Sequence, residues 1–511
     1  MADLVIGSGP AGIAAALGRL ALGRAVVLLD GGADLEPAAE ARRRAMAAGD
    51  ASPEARDGWM APQFSTPPGQ VRRYGSDFAM EPAGATFAGG DPVALRASRA
   101  KGGLSNLWGA ALLPWREGDI AGWPVSIKAL APSWKALSEV VPVAGRADAL
   151  QALFPALPMA GFAPLEQGAQ AAALLARLAR RAPRLAALGI SAGQSRVAVA
   201  EGCRNCGLCL HGCPWGLIWS ARHTLADLVA SGRIDYRPGA VVRAVSEEAD
   251  EAVAHLADGG RVTGERLFLA TGVLETARIW LASRPGAGEL VLHDSQFAFL
   301  PMLHRWRPPR RPDAPPLQTL TQAFVEIDDP ALSPALLHAQ IYGWNEFYAR
   351  ELAQGQGRRL PLPGPLKRLA LDRLARRLMV AQLFLHSDLS HAIALRAAAD
   401  GRLIPEVRLN AATGPALDAG LRRLAKGMRL GGLMPLRFAA RPSAPGASFH
   451  VGASLPMRAN PGAGESDILG RPDGARRLHV VDASVLPAIP ATTITFGMMG
   501  NAHRIAIGAP A

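Results

Sequence analysis

The residues best suited to chemistry are concentrated in one place. All four cysteines of the chain, Cys203, Cys206, Cys209 and Cys213, fall within a single short run that ends at Pro214. Cysteines used only as small core residues scatter along a chain, so this clustering points to a metal or a metal–sulfide cluster. Two-residue gaps let successive thiolates face one centre from a tight loop, and Gly207 and Gly212 permit backbone turns that other residues resist. Structural zinc is a second reading, although zinc sites usually pair two separated C-x2-C units. Disulfides are a third, and they need an oxidising compartment.

A second constellation opens the chain. Asp3-Leu-Val-Ile-Gly7-Ser-Gly9-Pro-Ala-Gly12 has the form of a buried strand, a G-x-G-x-x-G turn and a helix start, and a second apolar strand follows and ends at Asp30. In such a unit Gly7 makes the turn, Gly9 lets the backbone approach a pyrophosphate, and Gly12 lets helix and strand pack closely. The helix N-terminus offers unpaired N–H groups to the phosphates. Asp30 stands where an acid reads a ribose hydroxyl and argues against a 2′-phosphate. The chain is therefore expected to bind a dinucleotide, and the position of the motif at the very start favours FAD over NAD.

The elements that must hold these residues come next. With 511 residues the chain has room for two or three domains, and 49% apolar against 19% charged residues allows a large core. Residues 241–270 read as short alternating strands joined by tight turns, and Ala270-Thr271-Gly272 closes a strand and starts a helix. Further strands are expected at 317–327, 338–344 and 379–386. Helices are expected over 166–187, with an arginine face turned to solvent, and over 365–378, a basic amphipathic segment that could lie on an anionic bilayer or cap a sheet edge. The net charge of +12 comes almost wholly from arginine. It reads most simply as compositional drift, and no motif supports nucleic-acid binding. The sequence opens directly on a strand and holds no window of about 18 uninterrupted apolar residues. Neither export nor a membrane span is expected, which makes the cytoplasm the default location, with peripheral membrane contact through the basic helix as an addition.

Two resemblances sharpen these readings. The spacing C-x2-C-x2-C-x3-C-P resembles the run of bacterial ferredoxins, which implies an iron–sulfur cluster. With no other cysteines, either all four hold one [4Fe-4S] cluster, or three hold a [3Fe-4S] cluster and Cys213 is spare. The second resemblance rests on order as well as motif. The N-terminal unit is followed by Gly102-Gly103-Leu-Ser105-Asn106, by the meander with Ala270-Thr271-Gly272, by His450-Val-Gly452-Ala-Ser454 with Met457, and by Val481-Asp482-Ala483-Ser484 with Pro487 and Thr493-Ile-Thr-Phe-Gly. This series resembles the glucose–methanol–choline (GMC) oxidoreductases, FAD enzymes that oxidise alcohols.

The resemblance implies an α/β fold: a Rossmann-type FAD-binding domain from residues 1–45, 95–125, 200–290 and 446–511, and a discontinuous α+β substrate domain with covering segments from 46–94, 126–199 and 291–445. It implies FAD contacts at Gly102, Gly103, Ser105, Asn106, Val242, Gly272, Asp482, Ala483 and Thr493, and a catalytic base at His450. The family usually adds an Asn or His in the loop after the D-A-S segment. Here that loop runs Pro487-Ala-Ile-Pro-Ala-Thr492-Thr493, so only Thr492 or Thr493 could orient a substrate hydroxyl. His386, Ser387 and His391 could face the flavin, but they read more simply as ordinary strand and loop residues. The implied activity is oxidation of a CH–OH group on an alcohol or sugar-type small molecule, by a dehydrogenase rather than an oxidase, with electrons leaving through the cluster to an external acceptor. The alternatives are a flavin and iron–sulfur electron carrier with no alcohol substrate of its own, and an enzyme whose cysteines hold structural zinc.

Overall fold

The computed structural model describes residues 1–49, 52–60, 77–306, 317–345 and 363–510. The covering segment expected at 46–94 lies partly outside these residues.

The first strand, β1 (Asp3–Ile6), is buried along its whole length, as a central parallel strand requires. The chain turns at Gly7, whose φ is +96°, and enters α1 (Pro10–Ala21) with Pro10 in the first turn, where its missing N–H costs nothing. It then returns as β2 (Val26–Asp30). β1 and β2 lie inside a five-stranded, wholly parallel sheet with Leu267–Leu269 and Leu478–Val480 on one side and Asp235–Pro238 on the other. A three-stranded antiparallel meander (Val242–Glu248, Glu251–Leu256, Arg261–Gly264) precedes the strand Leu267–Leu269.

The helix Thr495–Gly508 packs along α1, and small residues set the contact: a Cβ on Gly18 would meet the Ala506 Cβ at 2.9 Å. One buried side chain ties the start of the chain to this helix. Arg19 donates to Asp3 at 2.8 Å and to the carbonyls of Ala506 and Ala509 at 2.8 and 3.1 Å. Both members of the Arg19–Asp3 pair are fully buried. Removing the cation leaves the buried carboxylate with Arg24 alone, at 3.3 Å, so Arg19→Met should cost up to about 3–5 kcal/mol of stability. A denaturant midpoint within experimental error of the parent would refute that.

The second body of the fold is a mostly antiparallel sheet in the order Leu433–Pro435, Phe297–His304, Leu378–Phe384, Leu337–Tyr342, Ala323–Ile327, Ile190–Gln194. Helices Ala169–Ala179 and Thr413–Leu430 cover one face through Leu174, Leu178, Leu417 and Leu424. A smaller four-stranded sheet joins Leu403–Arg408, Ala392–Ala397, Glu289–Asp294 and Val451–Gly452. The α/β fold class expected from the sequence is the one observed, with a Rossmann-type parallel sheet and a separate sheet-and-helix part.

Two helix boundaries differ from the sequence reading. The stretch 166–187 forms two helices, Ala169–Ala179 and Ala182–Ala186, because Pro183 can only open a new helix. The basic helix spans Gly364–Ala375, and Leu378 already begins a sheet strand. Leu371 and Ala375 are buried, whereas Leu366 and Leu369 face solvent. Among the described residues no helix is long and apolar enough to cross a membrane.

Candidate functional site

A cavity of about 380 Å³ lies where the C-terminal ends of β1, β2 and the strand Leu267–Leu269 meet the antiparallel sheet. Crevices at the carboxyl ends of parallel strands are where such sheets bind ligands. Of the residues singled out in the sequence, Gly7, Gly9, Asp30, Gly103, Ser105, Val242, Gly272, His450, Asp482, Ala483 and Thr493 line it. Segments hundreds of residues apart thus converge on one space.

The geometry explains each glycine. A Cβ on Gly12 would sit 1.9 Å from the Gly7 carbonyl oxygen, and one on Gly7 would sit 2.7 Å from that of Ala270. A Cβ on Gly9 would meet nothing within 4 Å, so the space above it is open to a ligand. Gly102 and Gly103, both with positive φ, lay the next loop over this turn: the amide of Gly102 donates to Ser8 Oγ at 2.9 Å. Ser105 accepts from the Ala221 amide at 2.9 Å and fixes the loop against the following helix.

Asp30 accepts from the Ser8 hydroxyl at 2.8 Å and the Tyr236 hydroxyl at 3.1 Å, while burial pushes its pKa up. Asp482 is the second buried acid. It accepts from the Gly272 amide at 2.9 Å, Thr276 Oγ1 at 2.5 Å and the Ser484 amide at 2.9 Å, so it clamps the A-T-G turn to the D-A-S segment. Burial raises its pKa despite these donors. The strand Val451–Gly452, which His450 immediately precedes, lies directly on the same segment, since a Cβ on Gly452 would fall 2.2 Å from the Ala483 carbonyl oxygen.

His450 itself is partly buried, and its open edge faces the cavity. Its ring stacks on Phe384 with centroids 4.9 Å apart. Behind Phe384, His338 shares a hydrogen bond of 2.8 Å with Glu326, and both are fully buried. Burial first, and then His338, lowers the His450 pKa to about 3. An unfolded chain protonates an imidazole near pH 6.5. Between about 3 and 6.5 the unfolded chain therefore holds a proton that the folded chain does not. The contribution to stability is complete above the upper value and is lost as pH falls toward the lower one. In cofactor-free protein, His450→Asn removes this term. The stability difference between variant and parent should shift in favour of the variant by up to about 1.4 kcal/mol per pH unit on acidification. Parallel urea-unfolding curves at every pH would refute it.

Three assigned residues do not line the cavity. Gly12 and Gly102 shape the turns beneath it, and Asn106 spends its amide on the carbonyls of Lys101 and Gly103 at 2.9 and 2.7 Å. They support the cradle without forming its wall. His386, Ser387 and His391 also lie outside it. Sequence reasoning missed the wall supplied by the antiparallel sheet: Gln340 and Tyr342 on one strand, with Gln382 and Phe384 on the next. Gln340 and Gln382 are directly paired across the ladder. The Tyr342 hydroxyl donates to Gln340 Oε1 at 2.7 Å, which leaves the amide NH2 of that residue to other partners. Their alternation, i and i+2 on apolar strands, was the available signal.

The residues present fit a flavin dinucleotide. The N-terminal turn of α1 and the residues opening the last helix, Thr493 to Thr495, both border the cavity. Two buried polar atoms in its wall, His450 Nδ1 and Thr493 Oγ1, hydrogen-bond to no described residue.

The four cysteines line a separate, much smaller pocket of about 20 Å³, walled by Leu208, Trp215 and Ile218, and all four are free thiols. Burial raises the thiol pKa of Cys203 and Cys206, and pushes that of Cys209 up to about 12. The expected ligand set is therefore brought into one pocket but is not closed around a centre. Among the described residues no three His, Cys, Asp or Glu side chains are already gathered closely enough to share a metal ion. The thiols turn to separate partners instead, Cys203 to Asn205 Oδ1 at 3.8 Å and Cys209 to Thr319. The loop is held from outside by arginines: Arg56 donates to the Cys206 carbonyl and Arg43 to that of Pro214, each at 2.7 Å.

No protein-family model matches the sequence, and no curated protein matches it. The likeness is in three dimensions. Among the solved structures that match is pyridoxine 4-oxidase from Mesorbium loti, with a TM-score of 0.58 over 99% of this chain and 98% of that one, at 16% identity. The two chains share a fold. The whole length is covered on both sides, so the parallel-sheet part and the antiparallel-sheet part match together rather than the dinucleotide motif alone.

Proposed function

We propose that this chain is an FAD-dependent oxidoreductase of a CH–OH group on a small molecule. The observation that carries the reading is the shared cavity. The glycine turn, the A-T-G turn clamped by Asp482 and the imidazole of His450 all open onto one space. When bound, FAD would accept a hydride from the carbinol carbon. Gly7, Gly9 and Asp30 would hold its nucleotide half, and Ala483, Thr493 and Gly272 its ring half.

The chain's own residues have definite tasks. His450 is neutral at ordinary pH, so a ring nitrogen is free to take the hydroxyl proton. Phe384 fixes the plane of the imidazole by stacking. Thr493, with an unpartnered buried hydroxyl, can orient the substrate oxygen in place of the Asn or His that GMC enzymes carry there. Gln340, Gln382 and Tyr342 supply hydrogen-bonding groups on the opposite wall, which suits a substrate with further polar groups.

We further read Cys203, Cys206, Cys209 and Cys213 as the holders of an iron–sulfur cluster, [4Fe-4S] or [3Fe-4S]. Four free thiols around one apolar pocket are the right donors in kind, and arginines beside the loop would offset the charge of the thiolates. A cluster there would carry single electrons to an external acceptor, which favours a dehydrogenase, whereas the solved neighbour is by name an oxidase.

Two measurements on protein purified without air test these readings separately. Bleaching of the flavin absorption by a member of a panel of alcohols and sugar derivatives supports the first, and no bleaching by any of them speaks for a carrier without an alcohol substrate. Iron and acid-labile sulfide in stoichiometric amounts support the second, and zinc alone, or no metal, overturns it.

A further inference from the structure

Away from the flavin cavity, a second cavity of about 330 Å³ is lined by five arginines, Arg177, Arg180, Arg181, Arg305 and Arg429, with Trp306, Leu430 and Gly432, and no aspartate or glutamate lines it. It forms where three segments end together: the helix Ala169–Ala179, the strand Phe297–His304 and the helix Thr413–Leu430. The sequence reading assigned the arginines of the first helix to solvent. In the folded chain Arg180 and Arg181 are exposed as expected, and together with Arg177 they face arginines from two other segments.

Like charges gathered in a concave site repel one another and focus a positive field. Three observations show that the site is built around this charge. Arg177 Nη1 is buried and hydrogen-bonds to no described residue. Gly432, with a φ of +83°, leaves room for it, since a Cβ there would lie 2.8 Å from that same nitrogen. The adjoining His304 is held to a pKa of about 4, by burial and then by Arg177 and Arg377, so the imidazole adds no charge of its own. Trp306, 61% exposed, stands at the mouth as an apolar shelf.

We propose that this cavity is a binding site for a phosphate-bearing anion. Guanidinium groups bind phosphate through paired N–H donors, and several converging forks suit a group with more than one negative charge. The chemistry is the same for a soluble oligophosphate and for the headgroup of an anionic lipid, and the shelf at Trp306 would suit the apolar part of either.

The test uses the full, flavin-loaded chain. Inorganic pyrophosphate is titrated in by calorimetry at constant ionic strength. In parallel, the protein is sedimented with phosphatidylcholine vesicles with and without phosphatidic acid. Saturable pyrophosphate binding supports the site with a soluble ligand. Retention only on phosphatidic acid vesicles supports it with a lipid headgroup. In either case Arg305→Gln with Arg429→Gln, both exposed positions, should weaken binding by about tenfold or more while flavin content and thermal midpoint stay unchanged. Arg177→Gln should do the same. Failure of both probes to bind, or binding that survives all three substitutions, overturns the proposal.

Discussion

His450→Ala is expected to slow reduction of the bound flavin by an alcohol by about 10²–10⁴-fold, the usual share of a positioned proton acceptor, without loosening the flavin. The two parts of this expectation come from different features. The rate falls because, among the described residues, the imidazole is the one neutral, unpartnered base in the cavity wall, with Nδ1 free of any described partner. Retention follows because the clamp on the cofactor side runs through other groups: the amide of Gly272 and the hydroxyl of Thr276 on Asp482, and the carbonyl of Ala483 beneath Gly452. Stopped-flow bleaching under anaerobic conditions measures the first, and the ratio of flavin to protein absorbance the second. Bleaching within a few-fold of the parent would remove His450 from the chemistry. Loss of flavin would instead assign it to the fold.

The second large effect separates two glycines that look alike in the sequence. Gly9→Ala should leave the cofactor-free chain as stable as the parent. A methyl group there meets nothing within 4 Å, and the backbone at φ −65° suits any residue. It should nevertheless weaken FAD binding by at least about tenfold, because the methyl occupies the space through which the backbone approaches a pyrophosphate. Gly12→Ala should damage both properties. Its methyl would be driven to 1.9 Å from the Gly7 carbonyl oxygen, so α1 must move off the sheet. Overpacking of this kind costs about 1–3 kcal/mol. Thermal unfolding without cofactor and FAD titration of each variant decide the matter. Equal destabilisation by the two substitutions would mean that the space over Gly9 is not a ligand's.

What was legible in the sequence was local. The turn at Gly7, the acid at Asp30, the A-T-G turn and the D-A-S segment can each be recognised from a short motif or a fixed spacing to one, and all reach the cavity. Gly12 and Asn106 were right as to region but not as to contact, because a motif does not say which of its members face the ligand and which hold up those that do. The wall made by Gln340, Tyr342, Gln382 and Phe384 was hidden, since the face a strand residue presents depends on which sheet it joins. The cysteine run shows the opposite limit. Its spacing is as specific as any in the chain, yet spacing alone does not say which centre the thiols gather around, and in the chain by itself Cys203 reaches Asn205 and Cys209 reaches Thr319. The arginine cavity left no trace because it draws on three distant segments in a chain where arginine is common everywhere.

The seam between α1 and the helix Thr495–Gly508, locked by Arg19, has a consequence for how the protein is made. The glycine turn leaves the ribosome hundreds of residues before Asp482 and Thr493 to Thr495, and its pocket lacks their floor and rim until those segments have been translated. Cofactor capture must therefore follow synthesis rather than accompany it, and a nascent chain stalled before these segments emerge should hold no flavin.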